Sequence, residues 1–554
     1  MTGAADLVIV GRVATLAGDS GLGWQGGIAI AGDRVVAVGG ESDLEGLIGP
    51  RTERWRLDDD LAVMPGITDA HLHLMTVILA ETQIDLTGLD LPATLAAIRA
   101  EHLAREEKGD SDGWLLGHGW SVHHLGGWPD ADVLERAAPG RPVALYAHDH
   151  HSRWISPTAI RLAEIDAERG RAAGELVRRD AEGAPSGVLH EGGSSLVDWV
   201  IPDPVHADLV YGLRRVAGRL AALGVTGCHD PGELTSGVEM KRGPLFYRAL
   251  AEADSLPLRV HASVRAPELS AAIERGLASG QSVGRFTMGW LKLFADGSLG
   301  SRSAALLEPY SDADVNPPTG GVRGMVVTDA HRLAELLRRA GEAGIVGQVH
   351  AIGDAAVRSA LEVLAGISVR RAPGTAELMP RIEHAQLVDP ADQPRFGALG
   401  IAASLQPVHL RSDAAQGRAA WRERSENTFP LRALAESGAV IAFGTDAPVE
   451  PFDPWPGIAV ALARRDPFSP HDTETGAAHA IDIARALRAA CLDPAISAGQ
   501  TDLGRLLAGH RADLMVVKVA GLADSPDPAV LGATRPLATL IDGQVVHREP
   551  GFDP

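Results

Sequence analysis

Two histidines two residues apart, His71 and His73, follow a Pro-Gly pair in the stretch Met64-Pro-Gly-Ile-Thr-Asp-Ala-His-Leu-His73. On a strand, residues i and i+2 face the same side, so both imidazoles can aim at one point. Neutral imidazole is a common zinc ligand. Two ordinary strand or loop histidines would read the same way, so the rest of the chain has to supply the missing ligands.

Four further residues could join them. Lys292 lies in Trp290-Leu-Lys-Leu-Phe294, with apolar neighbours on both sides. The chain is arginine-rich, and Lys108, Lys241, Lys292 and Lys518 are its only lysines. An ionised lysine in such a strand is costly unless paired. Desolvation could make it a base or a Schiff-base nucleophile. Carboxylation of its amine could make it an anionic ligand bridging two metals. Pairing with a carboxylate such as Asp296, further along the same face, would make it structural. His350 and His384 each end an apolar run, in Gln-Val-His-Ala-Ile-Gly-Asp354 and Arg-Ile-Glu-His-Ala-Gln386. Asp446 ends Ile-Ala-Phe-Gly-Thr-Asp446, where it reads either as a turn residue before Pro448 or as a general base beside a metal.

The elements that would carry these residues form a repeating series. Apolar strand-like runs occur at the His71 segment and at 225–230, 258–264, 288–296, 345–352, 381–386, 401–406 and 440–446. Amphipathic stretches such as Ala330–Arg339 and Leu431–Glu436 separate several of them. Eight strand–helix alternations predict an α/β fold, a (β/α)₈ barrel whose active site lies at the C-terminal strand ends. The candidate residues sit late in their strands, so barrel closure would bring them together. Residues 85–205 break the alternation and read as an insertion after the first barrel strand, able to act as a lid. Short strands at both termini, separated by Gly and Asp clusters, predict one small β-sandwich domain from residues 1–62 and 495–554. The barrel then spans 63–494.

Composition narrows the class. The chain has 554 residues, 45% hydrophobic and 22% charged, with a net charge of −21. That length predicts a large domain plus a smaller one, and the acidity argues against nucleic-acid binding. No apolar run is long enough to span a membrane, and the N-terminus has no basic region typical of a secretory signal. Two cysteines, Cys228 and Cys491, cannot build a disulfide framework or a Cys-rich zinc site. A cytoplasmic enzyme acting on a small molecule is the expectation, and a homodimer the expected assembly.

His71-x-His73, Lys292, His350, His384 and Asp446 together resemble the amidohydrolase superfamily. The strings Met64–His73, Lys292–Arg302, Val349–Asp354, Arg381–Gln386, Phe443–Val449 and Gly504–Leu514 are similar to its amidohydrolase family 3, in the YtcJ-like branch. The resemblance covers nearly the whole chain. It implies a distorted (β/α)₈ barrel with a small β-sandwich made from both termini. It also implies that His71, His73 and Asp446 hold one divalent ion and His350 and His384 a second, most often zinc, with carboxylated Lys292 bridging. The segment Tyr146–Trp154 resembles one in that branch, with His151 at the matching histidine and His150 where glycine is usual.

The implied activity is hydrolysis of a C–N bond (amide, N-formyl or N-acyl) by metal-activated hydroxide, with Asp446 as general base and acid. His151, Arg302 and Trp120 are candidate substrate contacts, and Trp120 with Trp128 could form an apolar wall or simply pack the insertion. Rival readings are a deaminase of a cyclic amidine, a carbamate, ester or lactone hydrolase, a non-catalytic binding protein on the same barrel, and a Schiff-base lyase using Lys292.

Overall fold

The computed structural model describes residues 4–18, 21–148, 152–166, 168–233, 243–313, 320–371, 373–469 and 471–554. Eight parallel strands form the barrel: β1 (Ile67–Asp69), β2 (Val225–Asp230), β3 (Arg259–Arg265), β4 (Phe286–Phe294), β5 (Gly347–Ala351), β6 (Arg381–His384), β7 (Ala402–Leu405) and β8 (Ile441–Phe443). Each pairs with the next in chain order from β1 to β8. They coincide with the eight runs expected from the sequence.

The seam between β8 and β1 closes by backbone hydrogen bonds just beyond the strand ends. Ala70 N–H donates to the Phe443 carbonyl at 2.9 Å, and Asp446 N–H to the His71 carbonyl at 2.7 Å. Gly444 makes this approach possible, because a Cβ there would lie 2.4 Å from the His71 nitrogen. No side chain larger than hydrogen fits that gap.

The helices between strands follow the apolar pattern. Ala330–Glu342 is capped by Asp329, whose carboxylate accepts from Arg332 N–H. Leu333, Leu336, Leu337 and Ala340 are buried on one face, the i, i+3, i+4, i+7 spacing of an amphipathic helix. Each of the three leucines contributes about 1.5–3 kcal/mol of burial.

Strands from both termini share one eight-stranded sheet. Its order is Gln544–Arg548, Ala538–Ile541, Leu514–Lys518, Leu61–Pro65, Leu7–Ala14, Trp24–Ala31 and Arg34–Gly39, with Glu53–Arg56 also pairing Leu7–Ala14. The two ends join where Leu61–Pro65 runs antiparallel to Leu514–Lys518. Residues alternate between two cores, as a pleated strand requires. Leu7, Ile9, Ile28 and Ile30 pack with Val63, Leu514, Val516 and Leu540, while Val8 and Ala29 turn to Leu44 on the other side. From Pro65 the chain passes through Gly66 directly into β1.

A second compact unit includes Leu74–Val216. Its six-stranded sheet runs Val177–Arg179, Pro185–His190, Ser152–Ile155, Val143–Ala147, Leu115–Trp120 and Ile84–Asp85. Trp120 lies in its core and is 1% exposed, with ring centroids 6.2 Å from Trp154 and 6.4 Å from Trp128. Its indole N–H donates to the Leu145 carbonyl at 2.8 Å. A ring enclosed on its faces and satisfied at its nitrogen serves the packing of this unit, the alternative to the expected substrate contact. His150 and His151 lie outside the described residues. Among the described residues, no helix is long and apolar enough to cross a membrane.

Candidate metal centre

His71 and His73 lie just past the last residue of β1, where the chain is strapped to its neighbours on both sides. Leu72 N–H donates to the His229 carbonyl on β2 at 3.0 Å, and His73 N–H to the Ala447 carbonyl beyond β8 at 3.0 Å. Asp69 staples the same seam. Its carboxylate accepts from His71 N–H at 3.1 Å, Thr445 N–H at 3.0 Å and the Thr445 hydroxyl at 2.6 Å. These backbone ties hold the two imidazoles in place before any ligand arrives.

Each histidine is oriented through one ring nitrogen, which leaves the other available. His71 Nδ1 is bound to Glu383 and His73 Nδ1 to the Gly232 carbonyl. His384 Nδ1 meets Gln406 Oε1 at 2.9 Å. With Nδ1 engaged, Nε2 carries the lone pair. His350 is reversed: its Nε2 meets the Gly297 carbonyl at 3.1 Å, leaving Nδ1.

Asp446 faces the first pair. Its Oδ1 is 3.4 Å from His71 Nε2 and 3.2 Å from His73 Nε2, and one ligand atom from each residue lies within 4.8 Å of the others. His71 Nε2 and Asp446 Oδ1 are buried and lack a hydrogen-bond partner among the described residues. Ligand atoms about 2.1 Å from a tetrahedral zinc stand about 3.4 Å apart. Lone pairs converging at this spacing without a shared proton suit a cation. The residues present therefore fit a divalent ion.

The other candidates converge on the same strand ends. Ring centroids are 5.0 Å apart for His71 and His384, and 4.5 Å for His350 and His384. Lys292 is 1% exposed, with its Nζ 4.9 Å from the Phe294 ring centroid. Burial lowers its pKa to about 8, against the opposing pull of Glu383 and Asp446. The Asp296 carboxylate is occupied elsewhere, accepting N–H groups of Ala305, Ile352 and Gly353 at 2.9–3.0 Å. Asp296 is therefore committed to backbone donors, and the carboxylates that act on Lys292 are Glu383 and Asp446.

Burial dominates the histidines. It takes His71 down to about 4 and His350 to about 3, in each case with Lys292 adding to the effect. Burial and the neighbouring His350 hold His384 well below its usual range. All three are neutral, as ligands must be. Burial would raise Asp446, but His71, His73 and His384 outweigh it and keep the carboxyl ionised. His384 and Asp446 both have positive φ, 69° and 61°, a conformation that costs a non-glycine residue energy and clusters at functional sites.

Several residues of this site escaped the sequence reading. Arg381 and Glu383 stand one pleat apart inside the barrel, both 0% exposed. Arg381 Nε donates to Glu383 Oε1 at 2.8 Å, Nη1 lies 2.7 Å from His229 Nδ1, and Nη2 donates to the Ala70 carbonyl at 2.7 Å. One buried arginine thus fixes the carboxylate that fixes His71. An Arg-x-Glu pair on one face of an apolar strand was the available signal. His409, in the turn Pro407–His409 after β7, has its Nε2 3.6 Å from Asp446 Oδ2. No periodicity marks it.

Arg302 lies elsewhere in chemistry if not in chain. It is 8% exposed, pairs with Asp312 at 2.5 Å and stacks over Tyr310 at 5.7 Å. These contacts brace the segment after β4, while Nη1 is buried without a hydrogen-bond partner among the described residues, which leaves that atom for the expected substrate contact.

The profile of the amidohydrolase family matches residues 59–547. YtcJ of Bacillus subtilis (strain 168) is 29% identical over 514 residues, covering 90% of this chain and 91% of YtcJ. N-substituted formamide deformylase of Arthrobacter pascens is 24% identical over 552 residues, covering 95% of each chain. An uncharacterized metal-dependent hydrolase of Pyrococcus horikoshii OT3 has the same fold, with a TM-score of 0.75 at 24% identity, over 98% of this chain and 100% of that one. By a match spanning most of its length, this chain belongs to the amidohydrolase family, as a hydrolase with a candidate His–His–Asp metal site.

Proposed function

We propose that the chain is a metal-dependent hydrolase of a C–N bond in an amide, N-formyl or N-acyl substrate. The observation that carries the reading is the convergence of His71 Nε2, His73 Nε2 and Asp446 Oδ1 without a hydrogen bond among them. His71, His73 and Asp446 would hold one ion, and His350 and His384 a second, with Lys292, carboxylated, between them. Zinc suits this nitrogen and oxygen set. A bound divalent ion lowers the pKa of a water toward about 7 and polarises a carbonyl.

The protein's own groups do the rest. The ionised Asp446 accepts the proton of the attacking water as the new C–O bond forms. It then returns that proton to the leaving nitrogen as the C–N bond breaks, giving a carboxylic acid and an amine. Glu383, backed by Arg381, holds His71 in one tautomer. The kinship with a formamide deformylase supports amide chemistry over deamination.

The test is Lys292→Ala combined with a product assay. The purified wild type should carry at least one zinc equivalent per chain. The variant should lose zinc and turnover, and added short carboxylates should restore part of both. A panel of N-formyl, N-acyl, carbamate, lactone and cyclic amidine compounds, assayed separately for amine, ammonia and acid, identifies the bond cut. A fully active metal-free protein defeats the reading.

A further inference from the structure

The two oxygens of Asp446 have different surroundings. Oδ1 faces His71 and His73, whereas Oδ2 faces His409 Nε2 at 3.6 Å and His384 Nδ1 at 4.0 Å. His384 Nδ1 is engaged by Gln406 Oε1, so it has no hydrogen left to offer Oδ2. His409 Nε2 is buried and has no hydrogen-bond partner among the described residues. The His409 side chain is 12% exposed, and its backbone is fixed independently of the ring. Its N–H donates to the Gln406 carbonyl at 3.1 Å and its own carbonyl accepts from the Ser412 hydroxyl at 3.2 Å. The imidazole therefore contributes little to the turn that carries it, yet it is aimed at the outer oxygen of a carboxylate in the site.

We infer that His409 is a positioning residue for Asp446: its Nε2–H donates to Oδ2 and holds Oδ1 toward His71 and His73. A modest side-chain rotation closes 3.6 Å to the usual 2.9 Å of an N–H···O bond. A carboxylate ligand is commonly fixed by such an outer partner, and losing one costs about 10–100-fold in metal affinity or activity. The inference rests on the metal-dependent reading above. It adds a contributor from β7, so that the turn after this strand holds two site residues at once: Gln406 orients His384 and His409 orients Asp446.

Zinc affinity tests it without any substrate. The full-length chain is stripped, then titrated with zinc against a chromophoric chelator, as wild type, His409→Leu, His409→Asn and His409→Gln. Glutamine places an amide N–H near the position of Nε2, asparagine is polar but too short, and leucine fills the space without a donor. The expected result is a zinc Kd weakened about tenfold or more in the leucine and asparagine variants and restored to within about threefold by glutamine. Kd values within twofold across all four proteins overturn the inference. Glutamine as weak as asparagine overturns it as well, since it reduces the imidazole to packing. A wild type that takes up no zinc overturns the metal-dependent reading and this inference with it, an outcome distinct from the other two.

Discussion

The two ends of the barrel strands handle buried charge in opposite ways. At the N-terminal ends of β3 and β4, Arg259 meets Asp513 through two hydrogen bonds of 2.6 and 2.9 Å and also contacts Asp542, while Arg285 binds Asp542 at 2.9 Å. Opposite charges there are matched and tie the C-terminal strands to the barrel. At the C-terminal ends, four histidines, a lysine and an aspartate crowd together and leave buried atoms unpartnered. One end matches its polar groups with each other, and the other leaves several of them unpartnered. In barrels of this type that asymmetry separates the structural face from the reactive one.

The largest expected effect comes from the reactive end. Asp446→Asn keeps the shape but removes the proton acceptor, so kcat should fall about 10²–10⁴-fold with little change in urea midpoint. Activity within a few-fold of wild type would remove Asp446 from the chemistry. The structural end should answer in the reverse sense. Arg259→Ala strands Asp513, while Arg285 still holds Asp542, and should cost about 3–5 kcal/mol of stability, read from urea unfolding, while kcat of the folded fraction stays level. A stable variant with lowered kcat would erase the contrast between the ends.

Acid should reach His71 and His350 later than ordinary histidines. His71, at about 4, and His350, at about 3, are already neutral well above those values. Protons compete with metal for these nitrogens only near those values. Zinc affinity should therefore fall as pH drops through about 4, where His71 takes its proton. An affinity unchanged between about pH 5 and about pH 3 would show that protons do not compete for His71. The smallest effect belongs to the second unit. Trp120→Phe removes one buried N–H···O bond and should lower stability by about 1–2 kcal/mol with kcat and KM unchanged. A KM rise of tenfold would return Trp120 to the substrate.

Legibility followed the kind of pattern each residue belongs to. The eight strands were readable because apolar runs of strand length recur between amphipathic helices, and His71, His73, Lys292, His350, His384 and Asp446 were readable because each interrupts or ends such a run. Arg381 and Glu383 stood inside a string already in view, but a charge pair within a strand declares its purpose only once Ala70 and His229 are seen around it. His409 was hidden for a different reason. It sits in a 3₁₀ turn, where neither the two-residue nor the 3.6-residue period applies, and only the fold brings it to Asp446 across 37 positions of sequence. Trp120 and Arg302 are harder to place from sequence because aromatic and guanidinium groups serve packing and bracing as readily as recognition.

The seam between β8 and β1 has a consequence for synthesis. His71 and Asp446 belong to the first and last strands of the barrel, and the hydrogen bond from Asp446 N–H to the His71 carbonyl joins them. During translation His71 and His73 emerge early, but their partner carboxylate arrives some 370 residues later. A nascent chain halted before β8 therefore exposes two histidines that can capture a metal only loosely. On the proposed metal-dependent reading, tight loading would wait for ring closure, and the ion would report that the whole barrel has been built.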